Sequence, residues 1–288
     1  MAENEIDERA FAMPNDWWQT VRTSHILSSL FERHVLGLFV GGFQAGEYQH
    51  NFYTGFLLRH GNYLLWLTAG HVVDELNKIL NSRDFEVTKM TWLDRYEGQG
   101  DEGVIVHNRN LLSKSWMPHG LDLGVIVVSE LDAGNLLANK NIRLVEESIW
   151  HNLSSASPEG YYLVGYPKAW NELTDGPQKE GKILRSFKAD LACLPIQPIE
   201  PPSETSGNDF WSHPDAFFGR ILPYVDFPEF DVDSLAGMSG GPILSIERTS
   251  EGQIAYRLVG IQSSWLWSEG VIRAEPIDKV AEAISQAL

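Results

Sequence analysis

This chain of 288 residues has a single cysteine, Cys193, so it cannot close an intrachain disulfide. That excludes a disulfide-stapled secreted scaffold, and a reducing, cytoplasmic setting fits best. Basic residues are the minority, 22 against 39 acidic ones, and the net charge of −17 disfavours attraction to phosphate backbones or anionic lipid. Neither nucleic acid nor membrane is expected as a partner. No segment has the ~18 uninterrupted apolar residues of a membrane-spanning helix. The acidic start, Met1 to Arg9, lacks the basic-then-apolar order of a signal peptide, so no export is expected. There is no His-Glu-x-x-His and no paired-cysteine spacing, so no metal site is indicated. Gly176–Ile183 nearly matches a phosphate-binding loop, but Ile183 stands where a Mg²⁺-binding hydroxyl is required, and the stretch reads as a hairpin turn. No repeat or low-complexity tract is present.

What is there suits a globular protein with one large or two small domains, at 43% hydrophobic residues. Asp16 can cap a helix carrying Trp17, Trp18, Val21, Ile26, Leu27, Leu30 and Phe31 on one side, expected to pack outside the core. From Leu36 the pattern becomes short apolar runs between Gly, Asn and charged clusters: 36–40, 52–58, 63–68, 85–92, 103–106 and 123–128. After a polar stretch near Asp132–Asn141 it resumes at 160–166, 183–194, 216–222, 242–247, 255–263 and 270–274. Two successive all-β units is the natural parse. Pro195–Asp215 holds five prolines and reads as a long exposed loop. Ile277, Val280, Ala281, Ile284 and Leu288 have helical spacing, which predicts a terminal helix docked on the second unit.

Gly237-Met238-Ser239-Gly240-Gly241-Pro242 places a serine in a glycine-rich turn, where its hydroxyl and the neighbouring amides can face a carbonyl. A plain turn between strands is the simpler reading of Gly-x-Ser-x-Gly alone. A serine nucleophile needs a base and donors for the oxyanion. None of the nine histidines follows Ser239, so the Ser, acid, His order of an α/β-hydrolase fails; a subtilisin-like order needs an aspartate shortly before the histidine and none is convincing, and His, then Asp, then Ser remains. His71 is the favoured base, because Leu64-Leu65-Trp66-Leu67-Thr68-Ala69-Gly70-His71 is a buried strand ending in small residues that leave an imidazole facing a cleft. A structural histidine is the alternative. Asp122 stands at the mouth of the apolar run Leu123–Val128, where burying a carboxylate is costly without a hydrogen-bond partner. The Nδ1–H of an imidazole supplies one; the alternative is an ordinary turn aspartate.

Together, Thr68-Ala69-Gly70-His71, Asp122-Leu123 and Gly237-Met238-Ser239-Gly240-Gly241-Pro242 resemble the three motifs of the chymotrypsin/trypsin-like serine protease family, in the family's order and over about Leu36 to Ala274. The resemblance implies two six-stranded antiparallel β-barrels with the active site in the cleft between them. It divides the chain into a helical extension (1–35), a first barrel with His71 and Asp122 (36–140), a second barrel with Ser239 and the substrate pocket (141–275) and a C-terminal helix (276–288). His71 would be the general base, Asp122 its orienter and Ser239 the nucleophile, with the N–H groups of Gly237 and Ser239 as the oxyanion hole. Gly260-Ile261-Gln262-Ser263 resembles the strand that lines the primary pocket, with Ser263 supporting Asp122. Gly165-Tyr166-Pro167 is similar to the Gly-x-Pro of disulfide-free bacterial members.

The departures from the pattern are informative. Met238 stands where animal enzymes keep the aspartate that receives a new N-terminus on zymogen cleavage, so that activation switch is absent. The resemblance is nearer to the high-temperature-requirement type, yet too few residues follow Ala274 for a PDZ domain. Asp233 and Ser234 fall where trypsin-type enzymes bind Lys or Arg at P1. Against this, Leu235 replaces the cysteine that anchors that wall, and Trp265 is near a position that narrows the pocket, which implies a small or apolar P1. Trp265 and Trp267 straddle the expected substrate strand and suggest an aromatic subsite. The expected activity is that of a cofactor-independent serine endopeptidase acting on protein or peptide through an acyl-enzyme. The alternative is a protease-fold binding module that is catalytically silent or triggered by an activating protein partner.

Overall fold

The computed structural model describes residues 27, 29–93, 104–106, 112, 115–118, 120–138, 142–146, 149, 158–179, 182–201, 215–222, 235–248, 254–266 and 270–288. In the first half, β1 (Gly37–Gln44), β2 (Glu47–Tyr53), β5 (Phe85–Leu93) and β6 (Val104–Ile105) form a sheet of order β2-β1-β5-β6. There β3 (Phe56–His60), β4 (Tyr63–Ala69), β7 (Ser115–Trp116) and β8 (Leu123–Val127) form a second, of order β3-β4-β8-β7. In the second half, β9 (Gly160–Gly165), β12 (Ala192–Pro198), β13 (Phe217–Ile221), β14 (Pro242–Arg248), β15 (Ile254–Leu266) and β16 (Val271–Pro276) close into a barrel of order β12-β13-β16-β15-β14-β9. Between β9 and β12 the chain makes a two-stranded ribbon, β10 (Asn171–Lys179) and β11 (Lys182–Ala189). Phe187 at its end packs against Phe39 and Phe52, with ring centroids 4.8 and 5.0 Å apart, and pins the ribbon to β1 and β2.

Of the two six-stranded barrels expected, one closes among the described residues, and the described strands of the first half form two four-stranded sheets. The two sheets are linked at one isolated bridge, Val35 to Phe56. Between β5 and β8 the described residues supply the two-residue strands β6 and β7.

Alternation along the strands sorts the buried side chains into three layers. From the β3-β4-β8 sheet, Leu57, Leu64, Trp66 and Ile126 face the core of the first half. Phe56, Leu58, Leu65, Leu67, Leu123 and Val125 face the opposite way, into a core shared with Tyr162, Val164, Leu244, Ile246, Leu258 and Ile261 of the barrel wall. Inside the barrel lie Leu163, Leu194, Ile196, Met238, Ile243 and Ile272. A sheet covered on both faces reads as a continuous apolar run, which is why Leu64–Ala69 lacks a polar alternate apart from Thr68. This middle layer brings the ends of β4 and β8 against the barrel.

Three further differences from the sequence reading have local causes. Most of the predicted N-terminal helix lies outside the described residues, but its end is not on the outside: Leu27 and Phe31 are buried in the shared core, and Phe31 meets Tyr256 edge-on at 5.4 Å. The polar stretch near Asp132–Asn141 contains a helix, Glu130–Ala138, whose start is capped by the Ser129 hydroxyl accepting the Asp132 N–H at 3.2 Å. The predicted loop Pro195–Asp215 begins as strand, with Pro195 opposite Tyr162, and the Pro195 carbonyl accepts the Leu222 N–H. The C-terminal helix Ile277–Ala287 follows β16 directly and buries Ile277, Val280 and Ile284 in the shared core. No helix of the described residues is long and apolar enough to cross a membrane.

Candidate active site

β4 passes into the helix Gly70–Leu80 without an intervening loop, and His71 stands in that helix's first turn. Val72, Val73 and Leu76 hold the helix down, leaving the His71 ring half-exposed. The antiparallel register of β4 and β8 sets Ala69 opposite Leu123, so Asp122 falls beside Gly70 and His71. Its carboxylate makes two bonds to one residue: Oδ1 accepts the His71 backbone N–H and Oδ2 accepts from Nδ1, both at 2.9 Å. The helix N-cap, Ala69, offers no side-chain bond. Asp122 thus does what a capping side chain does, taking up an orphan first-turn N–H at the positive end of the helix dipole.

A carboxylate only accepts, so Nδ1 carries the ring proton and Nε2 is left as the acceptor. Burial alone pushes His71 below the ordinary histidine value. The hydrogen bond and charge of Asp122, with the charges of Glu75 and Asp74 on the same helix, outweigh it and hold the pKa above that value. Glu75 is itself positioned by the Tyr53 hydroxyl, which donates to its Oε1 at 3.1 Å.

Ser239 lies in a turn with no regular structure of its own. Gly237 and Gly240 have φ of 93° and 92°, a region side-chain-bearing residues rarely enter. A Cβ at Gly240 would also run into the Thr68 hydroxyl and the Thr54 carbonyl. The turn is anchored from inside by Met238, fully buried in the barrel core. Its backbone bonds are made to several segments: Met238 N–H to Leu235 O (3.0 Å), Gly241 N–H to Met238 O (2.8 Å), Gly240 N–H to Gln262 O (2.8 Å) and Lys168 N–H to Ala236 O (2.6 Å). Among the described residues the N–H groups of Gly237 and Ser239 donate to no protein acceptor, and these are the two amides that alternate around Met238. The Ser239 hydroxyl, partly exposed, likewise bonds to no described residue.

Two residues missed by sequence reasoning join the halves. Thr54 is fully buried; its hydroxyl donates to the Gly237 carbonyl at 2.6 Å and accepts the Tyr166 N–H at 3.0 Å, while its carbonyl accepts the Thr68 hydroxyl at 2.7 Å. It sits in the two-residue break between β2 and β3, where the sequence reading had one continuous strand over 52–58, and that break is the signal for it. Glu275 is the second: its Oε1 accepts the Asp122 backbone N–H at 3.2 Å and the Arg273 Nη2–H at 2.9 Å. In sequence, Arg273 and Glu275 at alternate positions of an apolar strand read as a solvent face.

Of the predicted pocket residues, Asp233, Ser234 and Trp267 lie outside the described residues. Gly260 stands in β15 opposite Ile243 and Pro276, with the Glu275 carbonyl where a Cβ would go. Trp265 is half-buried opposite Ile272, against the barrel core. Ser263 is fully buried at a β-bulge, and its hydroxyl donates to the Arg273 carbonyl at 3.4 Å; it is Glu275 that reaches Asp122 from the second half.

No protein-family model matches this sequence, and no curated protein matches it. Among solved structures, the chain is similar to the protease Anisep from Arthrobacter nicotinovorans at 14% identity, over 88% of this chain and 95% of that one, with a TM-score of 0.44. It is also similar to a thermostable serine protease, AL20, from an extremophilic microorganism, at 12% identity, over 89% of this chain and 97% of that one, with a TM-score of 0.43.

Proposed function

We propose that this chain is a serine endopeptidase in which His71 is the general base, Asp122 its orienter and Ser239 the nucleophile. The observation that carries the reading is the two-point grip of Asp122 on His71, with Nδ1 protonated, together with a serine turn in which the Gly237 and Ser239 amides donate to no described residue.

In this reading the Ser239 Oγ attacks the carbonyl carbon of a peptide bond while Nε2 takes its proton, and the carbonyl oxygen becomes an oxyanion facing the Gly237 and Ser239 N–H groups. Each such donor contributes about 2.7–4 kcal/mol to the transition state. The C–N bond then breaks, His71 returns the proton to the departing amine, and Ser239 is left as an ester. Water, deprotonated by the same Nε2, attacks the ester and releases the carboxylic acid and the serine hydroxyl. Asp122 remains a carboxylate throughout and stabilises the imidazolium formed in each step. No cofactor enters this chemistry.

A fluorophosphonate probe tests it. Folded wild-type protein is expected to label at Ser239, with labelling lost in Ser239→Ala and His71→Ala. Equal labelling of Ser239→Ala, or none of the folded wild type, would contradict the assignment.

A further inference from the structure

Asp122 needs more than its two bonds to His71 to be a fixed point. It ends a turn in which the Leu121 N–H reaches Pro118 O at 3.3 Å, just before β8 begins. Both of its carboxylate oxygens are engaged with His71, so its own placement depends on its backbone. That backbone is held from the other half of the molecule, 153 residues along the chain, by Glu275 Oε1.

Glu275 is 0% exposed and Arg273 is 3% exposed. They stand two apart on β16, on the face opposite Ile272 and Ala274, which point into the barrel core. A buried ion pair is a weak source of stability, because desolvation offsets most of the attraction, and an apolar pair of similar volume often serves as well. What this pair does that an apolar pair could not is present an acceptor, itself held by Arg273, to the amide of Asp122.

We propose, building on the triad reading above, that Glu275 is a positioning residue: held by Arg273, it fixes the Asp122 backbone and thereby the orientation of the His71 imidazole. Among the described residues the charged groups that act on that imidazole are Asp122, Glu75 and Asp74, while the Glu275–Arg273 pair of β16 stands behind Asp122, at its backbone N–H. Because the pair is internally compensated, its effect on His71 passes through the position of Asp122.

The test compares two double variants that both remove the buried charges. R273M/E275Q keeps an acceptor for the Asp122 N–H, and R273M/E275L does not. His71 is titrated by NMR in the resting protein, which requires no turnover, and kcat and KM are measured beside it. Expected in R273M/E275Q, which keeps the acceptor and loses its Arg273 anchor, is a His71 midpoint and kcat closer to wild type than in the leucine variant. In R273M/E275L the midpoint falls, the low-field Nδ1 proton signal is lost, and kcat drops about ten- to a hundredfold with KM unchanged. Wild-type behaviour of R273M/E275L, or equal losses in the two variants, would overturn the proposal. Should the variants not fold, amide exchange in the wild type decides: a protected Asp122 N–H supports the bond, and exchange at the free-peptide rate removes it. A chain that resists fluorophosphonate yet shows the titration difference would refute the protease reading and leave the positioning role standing. Normal labelling without the difference would do the reverse.

Discussion

His71 and Asp122 are delivered by two neighbouring strands whose register alone sets them side by side, whereas Ser239 hangs in a turn held by bonds from Thr54 between β2 and β3, from Lys168 after β9 and from β15. The first half of the site is regular structure continued by one residue past its ends. The second is irregular backbone that glycine makes accessible and other segments hold. Errors should therefore propagate differently: in the first half a substitution acts through charge and orientation, and in the second through backbone geometry.

Asp122→Asn should have the largest effect among changes that keep the nucleophile, a loss of about 10⁴ in kcat, because the amide favours the wrong tautomer. It should also move the pH dependence. In the wild type the pKa of His71 is held up, so the active neutral base appears only above the ordinary value of about 6.5. In the variant the Asp122 charge is gone while burial remains, and the midpoint should fall. The same shift predicts a stability contribution from protonated His71 that is fully present below the unfolded value and is lost as pH rises through the raised folded midpoint. A pH profile of kcat/KM and pH-dependent melting check both, and an unmoved midpoint would place the control of His71 elsewhere.

Gly240→Ala attacks the second half, adding a Cβ at positive φ against Thr68 and Thr54. It should destabilise by about 3 kcal/mol and abolish labelling, while the His71–Asp122 titration survives in whatever stays folded. Thr54→Val should be milder. Leaving the Tyr166 N–H and the Gly237 carbonyl without a partner costs roughly 2 kcal/mol, with kcat falling and Thr54→Ser restoring it. Smallest is Ser263→Ala, whose 3.4 Å bond is long; stability should change by no more than about 1 kcal/mol. A large loss of kcat in that variant would return the support of Asp122 to Ser263.

The same contrast explains what the sequence disclosed. A doubly covered strand such as Leu64–Ala69 and a turn of three glycines around one serine are strong local signals, and so is the strand-end position of His71. β2 was hidden because its residues are mostly polar and its hairpin turns at Ala45-Gly46, both at positive φ, where Asn-Gly would have announced it. The helix Glu130–Ala138 was hidden because Gly134 interrupts it and its leucines do not keep to one face, Leu136 being buried while Leu131 and Leu137 are exposed. The pairing of the first half's described strands and the Glu275–Asp122 bond depend on which strands meet in space, and a charged residue at an alternate strand position looks the same whether it faces solvent or a second domain.

The account's central claim is that these two differently built halves act as one nucleophile site. The rate of Ser239 phosphonylation as a function of pH tests it most directly. The prediction is a single rise with a midpoint above 6.5 that moves to lower pH in Asp122→Asn. A labelling rate that ignores pH and the Asp122 substitution would mean that the halves are neighbours without being partners.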